Sequence, residues 1–364
     1  MMPIHSTSRP VDQPAASAAS YALLKAGTVI PAHPLALDAS RKFDRRRQRA
    51  LTRYYLDAGS GGLAVGVHTT QFAIRETGLY SEVLSLAAET ASAWVDRPLV
   101  MVAGLAGKTA QAVAEAKTAK SLGYHAGLLS LAAMKSSDTD ALIEHCAAVA
   151  REIPLVGFYL QPAVGGLHLD SAFWARFAAI PEVIAIKVAP FNRYRTLDVV
   201  RGIVEAGAED RITLYTGNDD HIVLDLVTPF TVMREGKPVT MRFRGGLLGH
   251  WSVWTKGAVD IFRRCREAAD REAVSAELLA LDSRVTDCNS AFFDVANDFH
   301  GCIAGCHEVL RRQGLLEGTW CLDPNEELSP GQMEEIDRVC KHYPQLTDDD
   351  FVKQFLKKSL VNHA

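Results

Sequence analysis

The chain has 364 residues, with 39 basic and 43 acidic side chains and a formal net charge of −4. That balance offers no electrostatic drive towards nucleic acid or an anionic membrane, and no apolar run approaches the ~18 residues of a membrane span. The length suits one (β/α)8 barrel of about 250 residues with an extension. Nothing resembling an export signal precedes the seven cysteines, so a cytoplasmic protein with reduced thiols is expected. Residues 1–20, polar and rich in Ala, Ser and Pro, read as a flexible arm.

Short β-prone runs then alternate with longer helix-like segments, as in a parallel sheet wound with helices. Eight runs are expected as strands: 28–32, 62–67, 99–104, 127–131, 155–160, 183–188, 212–216 and 247–253. Several are apolar throughout, as strands covered on both faces are. No early Gly-x-Gly-x-x-Gly turn points to a dinucleotide fold, so eight units favour a closed barrel over residues 21–268. Residues 230–243 hold two β-prone arms around a turn at Glu235-Gly236-Lys237-Pro238. They read as an inserted hairpin on the face opposite the active site, serving packing or an interface. Residues 269–364 read as a C-terminal helical extension.

The chemistry concentrates at strand ends. Lys187 sits inside the apolar run Val183-Ile184-Ala185-Ile186-Lys187-Val188-Ala189. Burying an ammonium without a partner costs several kcal/mol. Either the amine is neutralised and becomes a nucleophile, or its tip escapes to meet a carboxylate. Tyr159, in the preceding strand, could shuttle protons to Lys187 or be a core aromatic bonded to backbone. His68, Thr69 and Thr70 end the second strand, where hydroxyls and backbone N–H groups can hold a carboxylate or simply cap a helix. Asn218, in Thr216-Gly217-Asn218-Asp219-Asp220, reads as capping or site lining, and His33, His250 and Trp251 as mouth lining or packing. Cys302 and Cys306 fall one helical turn apart beside His300 and His307, but close helix packing through Gly301 and Gly305 accounts for the pattern better than a metal.

Taken together these motifs resemble the dihydrodipicolinate synthase / N-acetylneuraminate lyase family of class I aldolases over about residues 22–345. The family's Tyr-x-x-Pro appears as Tyr159-Leu160-Gln161-Pro162 and its Gly-Ile-Lys as Ala185-Ile186-Lys187, at the family's interval. Val102-Ala103-Gly104 matches the third-strand signature, and Thr216-Gly217-Asn218-Asp219 resembles Ser-Gly-Asp-Asp. The resemblance implies a Schiff-base lyase or aldolase that needs no cofactor or metal. Lys187 would be the nucleophile, Tyr159 its proton-transfer partner, and Thr69 and Thr70 the seat of a pyruvate or 2-keto-acid carboxylate. A homodimer or homotetramer is implied, and an aldehyde is the natural second substrate. The family's Gly-Thr-Thr-Gly-Glu loop appears as Val67-His68-Thr69-Thr70-Gln71, placing an imidazole where a relay threonine stands. Ala132-Ala133-Met134 replaces a Tyr-Tyr pair, and Ala163-Val164 replaces an arginine. Both changes argue against a true dihydrodipicolinate synthase. An imine-forming sugar-acid dehydratase and a non-catalytic metabolite-binding relative are the alternatives.

Overall fold

The computed structural model describes residues 15–271 and 273–361. Helix α1 (Ala15–Ala26) leads into β1 (Val29–Pro31), α2 (Arg45–Ala58), β2 (Gly62–Val65), α3 (Tyr80–Trp94), β3 (Val100–Leu105) and α4 (Thr109–Ser121). Then come β4 (Ala126–Leu129), α5 (Thr139–Ala150), β5 (Leu155–Leu160), α6 (Ser171–Ala178), β6 (Val183–Ala189), α7 (Arg193–Glu205), β7 (Thr213–Thr216) and α8 (Ile222–Val227). A hairpin of β8 (Phe230–Arg234) and β9 (Lys237–Met241) precedes β10 (Phe243–Leu248) and α9 (Thr255–Ala269). The extension holds α10 (Ala276–Phe292), α11 (Cys302–Arg312), α12 (Gln332–His342) and α13 (Asp349–Val361).

Eight parallel strands pair in the order β1-β10-β7-β6-β5-β4-β3-β2. The parallel bridge Ala32↔Ala64 joins the two ends, closing a (β/α)8 barrel. Because strand side chains alternate, one set fills the lumen (Ile30, Val102, Leu128, Val156, Phe158, Tyr215, Leu247) and the other meets the helices.

Two expected boundaries move. The eighth barrel strand is Phe243–Leu248, not 247–253, and His250–Ser252 turns as a 3-10 segment. Gly245 and Gly246, weak strand formers, hid the strand. They are required there: a Cβ on Gly245 would lie 2.3 Å from the Thr28 carbonyl oxygen, and one on Gly246 2.6 Å from the Trp251 ring. The arm expected over residues 1–20 ends earlier, since α1 already begins at Ala15 with Ser20 buried. Alanine-rich sequence favours helix, and Leu24 anchors it by joining the lumen cluster while its carbonyl accepts from Tyr215 Oη at 2.8 Å. Residues 1–14 lie outside the described part. A hairpin forms over Phe230–Met241, shorter than the expected 230–243 because Phe243 opens β10, and it is docked by Phe230 against Phe243 and by Arg234 on Glu209.

Candidate active site

On β6, Ile186 and Val188 face the helices while Ala185 and Ala189 face the lumen. Lys187 falls in the lumen set, paired laterally with Phe158 on β5 and Tyr215 on β7. Its stem is closely packed, as a Cβ on Gly217 would lie 2.6 Å from Lys187 Cε. The Nζ sits 4.5 Å from the centre of the Phe158 ring. Burial drives the Lys187 pKa down, and the Asp219 charge opposes that shift only in part. Lys187 makes no salt bridge among the described residues, so the sequence alternative of a tip paired with a carboxylate is not adopted.

A cavity of about 70 Å³ opens above this amine. His68 and Thr69 form one wall, Asp219 and Gly217 another, and Leu160, Gln161 and Val164 a third. The roof comes from the extension: Phe293, Phe299 and Cys302 close it together with Phe191. A larger surface groove of about 720 Å³, lined by Ser85, Arg97 and Leu122 among others, contains none of these groups.

The structure gathers only some of the residues singled out in the sequence. His68 lines the cavity, its pKa lowered to about 4 by burial and by the Lys187 charge, so the imidazole is neutral at neutral pH. Thr69 lines it too, with its hydroxyl donating to the Ala32 carbonyl at 2.8 Å. Thr70 does not; its hydroxyl donates to the His33 carbonyl and accepts from Gly66 N–H, shaping the loop. Asn218 is likewise outside, its amide joining Asp225, Thr196 and Phe191 N–H. Through the last bond it holds Phe191 at φ 49° and so places a cavity wall.

Tyr159 is the main correction. It lies on the helix-facing side of β5, packed 5.2 Å from the Trp174 ring, with its hydroxyl bonded to Leu169 O and N. The lumen position beside Lys187 belongs to Phe158. A strand offers alternate residues to alternate faces, so one residue of register decides which aromatic reaches the lysine. His33 is spent on Thr52 and Pro34, and His250 stacks on Phe292, while Trp251 is a core side chain.

Asp219 is the group that sequence reasoning passed over. Burial pushes its pKa up, the Lys187 charge pulls it down, and its Oδ1 has no hydrogen-bond partner among the described residues. The signal was the adjacent Asn218-Asp219 pair; which of the two faces inward depends on the turn. Helix α10 fixes that turn, with Asn289 Nδ2 donating to the Asp219 carbonyl at 2.6 Å and Thr286 to the Asp220 carbonyl at 2.9 Å. The roof is held by Asp294, at φ 56°, whose carboxylate accepts from Gly301 N–H, Ser329 and Asn297.

Residues 25–228 match the Dihydrodipicolinate synthetase family. The chain belongs to that family. It is 27% identical over 203 residues to a 4-hydroxy-tetrahydrodipicolinate synthase of Moorella thermoacetica, covering 55% of this chain and 66% of the relative. A probable 5-dehydro-4-deoxyglucarate dehydratase of Acinetobacter baumannii is 28% identical over 134 residues, 37% of this chain and 43% of that one. These matches thus span less than two thirds of either relative. The fold of dihydrodipicolinate synthase from Aquifex aeolicus superposes with a TM-score of 0.71 at 18% identity, covering 88% of this chain and 99% of that one. N-acetylneuraminate lyase from Fusobacterium nucleatum gives 0.68 at 16%, covering 87% and 98%. The chain's relatives by sequence are thus named as a synthase and a probable dehydratase, while the lyase shares the fold. The family match ends just before the hairpin, so the eighth strand and the cavity roof lie beyond it.

Proposed function

We propose that this protein is a Schiff-base-forming lyase or aldolase acting on pyruvate or another 2-keto acid through Lys187. The observation that carries the reading is the amine itself: buried in the lumen, held without a salt bridge, and lowered in pKa so that a neutral nucleophile exists near neutral pH. The amine attacks the ketone, water leaves, and the imine acts as the electron sink for making or breaking the neighbouring bond. Thr69 and the backbone around Thr70 would receive the carboxylate, and His68, neutral and in the wall, would move protons.

The second substrate is not the one that lysine biosynthesis requires. Among the described residues the cavity lining contains no arginine, and Val164, Leu160, Phe191, Phe293 and Phe299 make it largely apolar. A carboxylate-bearing aldehyde would be buried there without a cation. An imine-forming sugar-acid dehydratase is the second reading, favoured by the relative of that name. No cofactor or metal is invoked, and a homodimer or homotetramer is the expected assembly.

The test is reduction with borohydride in the presence of pyruvate, followed by intact-mass measurement and peptide mapping. The expected result is an adduct on Lys187, absent in Lys187→Ala. No adduct with pyruvate or with any of a panel of 2-keto acids would sink both enzyme readings. Product analysis then separates carbon–carbon cleavage from dehydration.

A further inference from the structure

We propose that Asp219 is the proton carrier of the imine chemistry: its carboxylic acid protonates the oxygen that leaves as water, and its carboxylate then takes the proton from the carbon beside the imine. The proposal rests on the Lys187 reading above and names a catalytic residue for it.

Three observations carry it. Asp219 lines the same cavity as Lys187, and its Oδ1 is buried with no hydrogen-bond partner among the described residues. A buried carboxyl oxygen without a partner is costly to keep, and a substrate atom would satisfy it. Next, Asp219 and Lys187 interact electrostatically without forming an ion pair, and both line the cavity that would receive the reacting carbonyl. Finally, the lumen face of β5 offers Phe158 and Leu160, neither able to carry a proton, because Tyr159 points into the helix layer.

The proton count closes with these two groups alone. A neutral amine, a ketone and a carboxylic acid become an iminium ion, water and a carboxylate. The carbon–nitrogen bond forms, the carbon–oxygen bond breaks, and the acid supplies the proton that water carries away. The resulting carboxylate faces the iminium as its counter-ion. It then removes a proton from the adjacent carbon, giving the enamine and restoring the acid. Burial raises Asp219 to about 7 and lowers Lys187 to about 8, so the two groups titrate close together and the uncharged starting pair is within easy reach of the charged one. The other titratable groups acting on the pair are His68, Asp220, Cys302 and Cys306, while the backbone N–H of His250 bonds the Asp219 carboxylate. Burial keeps His68 neutral and both thiols protonated, so among the groups lining the cavity the titration belongs to Lys187 and Asp219; Asp220, itself raised by burial, acts on Asp219 from outside the lining.

The experiment compares wild type with Asp219→Asn and Asp219→Glu in two measurements. The first is the rate of pyruvate trapping on Lys187 under borohydride, across pH. The second is acetylation of Lys187 by acetic anhydride, mapped by mass spectrometry, which reports the free amine without substrate. Asp219→Asn is expected to slow trapping by at least ~100-fold, the loss typical for a general acid–base group, with partial recovery in Asp219→Glu. The same Asn variant is expected to acetylate faster at neutral pH, since removing the carboxylate charge lowers the Lys187 pKa further. Opposite signs in the two assays distinguish a proton carrier from a variant that merely folds badly. Trapping at the wild-type rate in Asp219→Asn would overturn the proposal while leaving the Lys187 reading intact. Failure of wild type to trap any 2-keto acid would overturn the Lys187 reading and this proposal with it, whatever the acetylation result.

Discussion

Phe158 and Tyr159 are neighbours in the chain and occupy different environments, and that difference has consequences that can be measured. Tyr159→Phe should leave adduct formation on Lys187 within a few-fold of wild type, because the phenol bonds only Leu169. It should cost about 1 kcal/mol of stability for the lost hydroxyl, read from denaturant midpoints. A large loss of trapping with unchanged stability would return Tyr159 to the chemistry. His68 makes the complementary case. It lines the cavity as a neutral imidazole, so His68→Ala should slow turnover while adduct formation survives. Turnover equal to wild type would remove it from the mechanism. Lys187, with its pKa lowered by burial, sets the pH dependence of trapping. The rate should rise with pH as the amine loses its proton and fall again as Asp219 loses its acid proton, with a maximum well below the titration of an ordinary lysine near 10.4.

At the scale of elements, two devices hold the site from outside it. Behind the His68 loop, Arg75 pairs with Glu115 at 2.9 Å and also donates to the carbonyls of Gly66 and Gly104, which ties β2 to β3 and α4. Both side chains are buried, so Arg75→Met should leave an unpaired buried carboxylate and cost about 3–5 kcal/mol, visible as a lower denaturation midpoint. On the other side, α10 grips the turn that carries Asp219 through Asn289. Asn289→Ala should cost about 1 kcal/mol in stability yet lower turnover far more than that loss explains, because it releases a positioning contact. Equal activity at saturating substrate would show that the turn holds itself. Most of these elements were legible in the sequence, since apolar runs and amphipathic stretches mark strands and helices directly. The eighth strand was not, because Gly245 and Gly246 are chosen for close approach to Thr28 and Trp251, and that requirement exists only once the barrel closes.

Four histidines, the buried His33, His250 and His307 and the half-buried His68, each have their pKa lowered from 6.5 to about 4. An unfolded chain binds those protons at higher pH than the folded one does, so stability rises with pH between about 4 and 6.5. The contribution is fully present above 6.5 and is lost as pH falls towards 4. Each histidine contributes a slope approaching ~1.4 kcal/mol per pH unit inside that window. The melting temperature should therefore fall steeply from pH 6.5 to 4.5; a flat profile would show that these rings are protonated in the fold.

The sequence by itself determined the (β/α)8 class, a hairpin before the last barrel strand, the helical extension and the buried lysine, because each is written in local periodicity or in one residue out of keeping with its neighbours. It also carried the motifs of the family to which the chain belongs. Only the tertiary structure decided which residues stand round that lysine. Strand register turned Tyr159 outward and Phe158 inward, the turn gripped by α10 turned Asp219 rather than Asn218 to the cavity, and the extension supplied Phe293, Phe299 and Cys302 as a roof. These outcomes depend on contacts between segments far apart in the chain, and no local pattern encodes them.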